Sequence, residues 1–120
     1  MKSITIDLPL PSRELHPNAR PHWRAKAAAA KKYRAWTCLA ARLHRIGEPW
    51  RRVSVLSQFT FQDKRTRDTD GLLCWLKNAF DGIQDAGVVL NDAGMTHQPV
   101  EVMPPNKLKP GVRIIVTDLT

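Results

Sequence analysis

The sequence lacks the features that mark several protein classes. It has only two cysteines, Cys38 and Cys74, in 120 residues. Neither lies in a C-x-x-C motif or at ligand spacing from a histidine, so no zinc site or disulfide framework is expected, and both are predicted to be buried thiols on helices. No run approaches the ~18 apolar residues of a membrane span, and the first residues lack the apolar segment of a signal peptide. We therefore expect a cytoplasmic protein without membrane contact.

Acidic residues are also scarce, with 11 Asp and Glu against 19 Lys and Arg and a formal charge of +8. Residues 1–60 contain 12 basic residues and three acids, whereas residues 61–120 contain seven and eight. This excess indicates either a polyanionic partner or a basic surface that serves solubility. With 42% hydrophobic and 25% charged residues, the composition is typical of one globular domain over 1–120.

Periodicity predicts the secondary structure. Alternating polar and apolar residues indicate strands, and apolar residues three or four apart indicate helices. Strands are predicted at 3–8, 53–61, 88–90, 100–103 and 112–117, and helices at 21–45 and 71–86. Asn18 or a neighbour is expected to cap the first helix, and Gly87 to end the second. The order predicts an α+β fold, a small mixed sheet with two main helices packed on one face.

The first predicted helix is amphipathic. Trp36, Leu39, Ala40 and Leu43 recur at helical spacing and form an apolar stripe, the pattern by which a helix faces a core. The basic residues of the same helix point largely elsewhere.

Two aspartates between the second strand and the second helix form the sharpest chemical pattern. Asp68 and Asp70 are two residues apart, so both carboxylates can reach one hard cation. Asp92, in the loop after residues 88–90, is a third candidate ligand. Mg²⁺ is expected to need only two or three carboxylates, because it keeps several waters. Arg65 and Arg67 beside the pair fit a phosphodiester substrate.

Structural roles for the same residues stay open. Asp70 can cap the second helix while Asp68 pairs with Arg65 or Arg67. Lys77 lies two turns after Asp70, on roughly the same face of a continuous helix, where its ammonium can steady a phosphate or remain solvated.

The sequence resembles a known family in these segments. Arg67-Asp-Thr-Asp70, the helix that follows it, and Asp85-Ala-Gly-Val-Val-Leu-Asn-Asp92 are similar to the signature of the RusA family of Holliday junction resolvases, which bacteria and their phages encode. Leu8-Pro-Leu-Pro and Pro17-Asn-Ala-Arg-Pro-His-Trp23 resemble the opening segment of that family. The resemblance extends over nearly the whole chain.

The resemblance implies a homodimeric, Mg²⁺-dependent endonuclease, with Mn²⁺ as a possible substitute. Such an enzyme nicks opposed strands of a four-way DNA junction during recombination and repair, in the cytoplasm of a bacterium or a phage-infected host. The metal-binding acids of the family carry over to Asp68, Asp70 and Asp92, and its functional lysine to Lys77. In some members that lysine lies one turn after the aspartates, where this chain has Cys74. Gly71 and Asn91 stand where the family usually has Asn and an acid.

The basic residues are expected to contact the DNA backbone, and two alternative functions stay open. The residues expected to hold DNA are Asn18, Arg20, Arg24, Lys31, Lys32, Arg65 and Arg67. Two other functions fit the same residues. One is a DNA-binding module without catalysis, and the other is a metal-dependent nuclease that acts on flaps, forks or RNA.

Overall fold

The computed structural model describes residues 2–44 and 47–120. Its strands are β1 (Ser3–Leu8), β2 (Val53–Thr60), β3 (Met95–His97), β4 (Glu101–Val102) and β5 (Gly111–Asp118). Its α-helices are α1 (Trp23–Arg42), α2 (Thr69–Trp75) and α3 (Lys77–Asp85), and two 3₁₀ helices cover Arg13–Leu15 and Asp92–Gly94. The predicted α+β class is confirmed. None of these described helices combines the length and the apolar character that crossing a bilayer requires.

The sheet is mixed and has β5 near its centre. β5 pairs antiparallel with β1 on one side and with β2 on the other. Beyond β2, the short strands β3 and β4 pair parallel with its first and second halves. The last strand in sequence therefore joins the first strand to the rest of the sheet.

The core lies on one face of this sheet. β1 alternates exposed and buried residues as its sequence predicts, and Ile4, Ile6 and Leu8 point inward. Val55 and Phe59 of β2 face the same way, and their exposed fractions are 1% and 0%. Residues of all three α-helices complete the hydrophobic cluster. Two-residue periodicity in the strands thus defines the face that the helices cover.

Of the four residues in the apolar stripe predicted for the first helix, Ala40 packs against the core and the other three do not face it. Trp36, Leu39 and Leu43 are 48%, 64% and 83% exposed. The buried residues of α1 are instead Tyr33, Thr37, Cys38 and Ala41. Three of these side chains, Thr37, Cys38 and Ala41, are smaller than the large apolar residues of the stripe. Their small size lets α3 approach closely. A Cβ added at Gly82 of α3 would lie 2.9 Å from Cβ of Thr37.

The helix predicted at 71–86 is two helices. Leu76, with φ −92° and ψ 4°, leaves helical geometry between α2 and α3. Leu76 is fully buried, and the break lets both short helices place apolar residues on the core. The predicted stop is confirmed, because α3 ends at Asp85 and Gly87 follows with φ +81°.

Several predicted boundaries are also corrected. α1 begins after His22, whose Nδ1 accepts a hydrogen bond from the Arg24 amide, so His22 rather than Asn18 is the N-cap. α1 ends at Arg42, and the predicted end at Arg45 lies outside the described residues. Of the predicted strand 88–90, Val89 forms a single bridge with Trp50. β3 was not predicted, because three residues are too few to display a period.

Candidate functional site

A cleft of about 900 Å³ lies between the loop that follows β1 and the segment that joins β2 to α2. Both Asp68 and Asp70 line it. The basic side chains on its walls belong to Arg13, Arg65 and Arg67, and Asn18 and His16 add polar groups. One cavity therefore contains two sets of predicted residues. The predicted cation ligands in it are Asp68 and Asp70, and the predicted DNA contacts in it are Arg65, Arg67 and Asn18.

The first wall is the loop between β1 and α1. The 3₁₀ helix Arg13–Leu15 begins at Ser12, whose Oγ accepts a hydrogen bond from the Glu14 amide. The Trp75 indole N–H of α2 donates to the Ser12 carbonyl at 2.8 Å. Leu15 is buried. These contacts attach the wall to the core and to the helix that carries Asp70.

The second wall is organised by Asp63, which the sequence analysis did not single out. Its carboxylate accepts hydrogen bonds from the Arg65 amide, the Arg65 guanidinium and the Arg67 guanidinium. These bonds, the Arg65 amide first, lower the pKa of Asp63 to about 2. Asp63 therefore stays ionised at neutral pH and fixes both arginines at the cleft.

Asp68 and Asp70 follow at the start of α2. Asp68 is the N-cap, and its Oδ1 accepts a hydrogen bond from the Asp70 amide at 3.1 Å. Within the described ranges, neither carboxylate forms an ion pair. The structural alternative is thus realised with other residues. The helix cap is Asp68 rather than Asp70, and the partner of both arginines is Asp63 rather than Asp68.

The aspartate pair fits a hard cation in its chemistry. Both side chains are exposed to the cleft and offer carboxylate oxygens, which Mg²⁺ and Mn²⁺ accept beside bound waters. Asp92 opens the 3₁₀ helix Asp92–Gly94 and does not line the cleft. Among residues 2–44 and 47–120, no group of three or more acidic, histidine or cysteine side chains is placed to hold a metal. The three predicted ligands are therefore not brought together within this chain.

Lys77 lies outside the cleft. The break at Leu76 separates it from α2, and its Nζ pairs with Asp81 Oδ2 at 3.4 Å, with 78% of the side chain exposed. The predicted shared face required a continuous helix and is not formed. Cys74, in contrast, is exposed and lines the cleft, so the prediction of a buried thiol holds for Cys38 and is wrong for Cys74.

The other predicted DNA-contacting residues extend from the cleft rim along α1. Pro21 lines the cleft, and α1 begins two residues later. Arg20, Arg24, Lys31 and Lys32 are exposed. The Arg24 guanidinium lies 5.2 Å from the Trp23 ring centre. Lys31 is two turns along the helix from Arg24 and hence on the same face.

The comparisons with known proteins give a relative without a stated activity. No protein-family model matches the chain. A protein of Xylella fastidiosa (strain Temecula1 / ATCC 700964), named only as an uncharacterized protein, is 32% identical over 109 residues. The alignment covers 84% of this chain and 67% of that protein.

Proposed function

We propose that this chain, which belongs to the same family as the Xylella fastidiosa protein, is a metal-dependent endodeoxyribonuclease. Its proposed substrate is the four-way DNA junction, which it would resolve by paired nicking of opposed strands in recombination and repair. One observation carries the proposal. Two carboxylates without a cationic partner among the described residues share a cleft with three arginines. The likeness of residues 67–92 to the RusA signature supports the choice of substrate.

The residues divide the task between a cation and a phosphate. Asp68 and Asp70 would hold Mg²⁺, or Mn²⁺ in its place, which supplies an activated water and offsets charge on the phosphate. Arg65 is paired with Asp63 but keeps 81% of its side chain exposed, so its remaining N–H groups can also bind a phosphate oxygen. Arg20, Arg24, Lys31 and Lys32 would hold the backbone of the DNA arms without reading sequence. Asp92 can join the pair only if its turn moves or a second chain contributes it.

The exposed stripe of α1 supports a homodimer. Trp36, Leu39 and Leu43 lie opposite the buried face of α1 and remain exposed in the single chain. Exposed clusters of large apolar side chains mark sites of protein association. A two-fold dimer would place two cleavage sites against the two opposed strands of a junction. We propose that this enzyme acts in the cytoplasm of a bacterium or a phage-infected host.

The decisive experiment compares Asp70→Asn with wild type on four-way junctions, linear duplexes, flaps, forks and RNA, in Mg²⁺ and in EDTA. We expect junction cleavage to need Mg²⁺ and to fall at least about a hundredfold in the variant. Losing a residue that only orients a metal ligand costs about 10–100-fold, and losing the ligand itself should cost no less. The matched control is Asp7→Asn, which removes a carboxylate that is paired with Arg113 and does not line the cleft. Cleavage at the wild-type rate by Asp70→Asn would refute the metal site.

A DNA-binding module without catalysis is the second candidate. It is favoured by the structural roles of the acids, since Asp68 caps α2 and Asp63 pairs with two arginines. The same experiment separates the two, because a module binds junctions equally well with or without Asp70 and never cuts them. Preferred cleavage of flaps, forks or RNA would favour the third function.

A further inference from the structure

A column of three nearly parallel aromatic rings reaches the cleft at both of its ends. Phe61 and Phe59 lie 5.7 Å apart with an interplanar angle of 6°, and Phe59 and Trp75 lie 6.2 Å apart at 4°. All three are buried, and the two outer members, Phe61 and Trp75, line the cleft. The hydrogen bond from the Trp75 indole to Ser12 holds that end in place.

A guanidinium covers the Phe61 end of the column. Arg67 Cζ lies 3.7 Å above the centre of the Phe61 ring. Its NH1 donates to the Arg65 carbonyl and its NH2 to Asp63, both at 2.8 Å. The side chain is 20% exposed and lines the cleft. Two of its donor groups are occupied within the protein, so Arg67 is held as a flat surface rather than as a mobile phosphate clamp.

At the Trp75 end of the column, the imidazole ring of His16 also lines the cleft. His16 meets Trp75 edge to face, with centroids 5.6 Å apart and planes at 64°. Leu10 and Leu72 add apolar side chains to the lining of the cleft. Proteins bind phosphate backbones through cationic and polar groups. Phosphate binding therefore does not account for the aromatic and apolar lining of this cleft. Stacking on aromatic rings and arginine planes is instead how proteins hold unpaired nucleobases.

We infer that the cleft receives one unpaired nucleobase of the bound DNA, stacked on the Arg67 guanidinium, while the adjoining phosphate lies toward Asp68 and Asp70. This assignment rests on the proposed function, because it takes DNA as the ligand. The volume of about 900 Å³ falls in the range of roughly 300–1,000 Å³ for small-molecule sites. Bases inside a duplex are inaccessible, and extrusion costs least where stacking or pairing is already interrupted, as at the branch point of a junction. The cleft thereby favours branched over linear DNA.

The test measures binding in EDTA, where no metal-dependent cutting occurs. Fluorescence anisotropy gives Kd for a labelled duplex with one unpaired adenosine, for the same duplex with an abasic residue at that position, and for the fully paired duplex. We expect wild type to bind the unpaired base about tenfold more tightly than the abasic site, in the range of base stacking. Equal Kd values for these two ligands would overturn the inference.

A pair of conservative variants locates the effect. Arg67→Lys keeps the charge but not the plane, so the base-to-abasic ratio should fall to about one. Arg65→Lys, on the exposed neighbouring side chain, should keep the ratio. A ratio preserved in Arg67→Lys would overturn the stacking role of Arg67.

The outcomes for the two proposals are separable. Protein that prefers the unpaired base but never cuts contradicts the nuclease alone, and protein that cuts without the preference contradicts the base site alone.

Discussion

At the residue scale, Asp63 is the side chain on which the arginine wall depends. It binds one arginine through both backbone and side chain and the other through its guanidinium. Its spacing of two and four residues before Arg65 and Arg67 is visible in the sequence, so a search for carboxylates near the arginines on either side would have found it. His16 and Trp75 give no such signal, because their contact joins residues far apart in the chain.

The pKa of Asp63 should be measurable by carboxyl ¹³C NMR. Because hydrogen bonds lower it from 3.8 to about 2 in the folded protein, the contribution of this carboxylate to stability is fully present above about 3.8 and is lost as pH falls toward about 2. In Arg67→Gln the midpoint should rise toward 3.8, whereas Arg24→Gln should leave it unchanged. A wild-type midpoint at 3.8 would contradict the hydrogen-bonded arrangement.

Cys74 permits a gain-of-function test. It lines the cleft four residues after Asp70, whereas Lys77 lies outside the cleft and pairs with Asp81. We expect Cys74→Lys to increase junction cleavage by about tenfold or more, since removing one hydrogen-bond donor to a developing oxyanion typically lowers rates by about 10²–10³ and an ammonium would add such a donor. Rates are compared with Cys74→Ser, which keeps the size of the native side chain, and with Lys77→Gln, which should change little. If Cys74→Lys is no faster than Cys74→Ser, a lysine is not needed there.

At the element scale, the contact between α1 and α3 determines which face of α1 is buried. Gly82 admits Thr37, whose hydroxyl is satisfied by the Tyr33 carbonyl at 2.8 Å. The large residues of the predicted stripe do not fit this close approach.

Gly82→Ala should therefore destabilise the protein, although the same change in an exposed helix gains about 1 kcal/mol. The added methyl would meet the backbone of α1, and overpacking of this kind costs about 1–3 kcal/mol. The control is Gly71→Ala in α2, where the nearest atom to the new Cβ is 3.6 Å away. Urea unfolding gives both values, and a Gly82→Ala variant as stable as Gly71→Ala would contradict this packing.

What the sequence predicted at this scale depended on local pattern. β1 was predicted to the residue, because six alternating residues specify both strand and face. The face of α1 and the break at Leu76 were missed, since both follow from contacts between helices that periodicity does not encode. Asp68 and Asp70 were predicted to follow the end of a strand, whereas the structure places Asp68 at the N-cap of α2 and Asp70 in its first turn. Whether Asp92 could reach them depended on the path of residues 86–92, which no local rule gives.

At the scale of the whole molecule, the outer surface of α1 combines two properties along its length. Its first half presents Arg24, Lys31 and Lys32, and its second half presents the exposed apolar stripe. In the proposed dimer the apolar halves pair, while the basic halves remain open to DNA.

Leu39→Glu should dissociate that dimer. Burying a carboxylate in an apolar interface is unfavourable, and loss of a central contact there typically costs at least about 2 kcal/mol, roughly a thirtyfold rise in Kd. Light scattering over a dilution series measures it, with Leu108→Glu as the control because Leu108 is 92% exposed in a separate loop. A monomeric wild type, or a variant as dimeric as wild type, would refute this interface.

The place of β5 in the sheet also bears on the order of events during synthesis. β1 and β2 are both made before residue 111, yet each has its longest pairing with β5. Until β5 leaves the ribosome, neither β1, which precedes the first wall of the cleft, nor β2, which precedes the second wall, is held in the sheet. Long-range strand pairing of this kind is slow. The aspartates and the arginines are therefore translated early but assembled late. A partly made chain would carry the charges of the cleft without its shape.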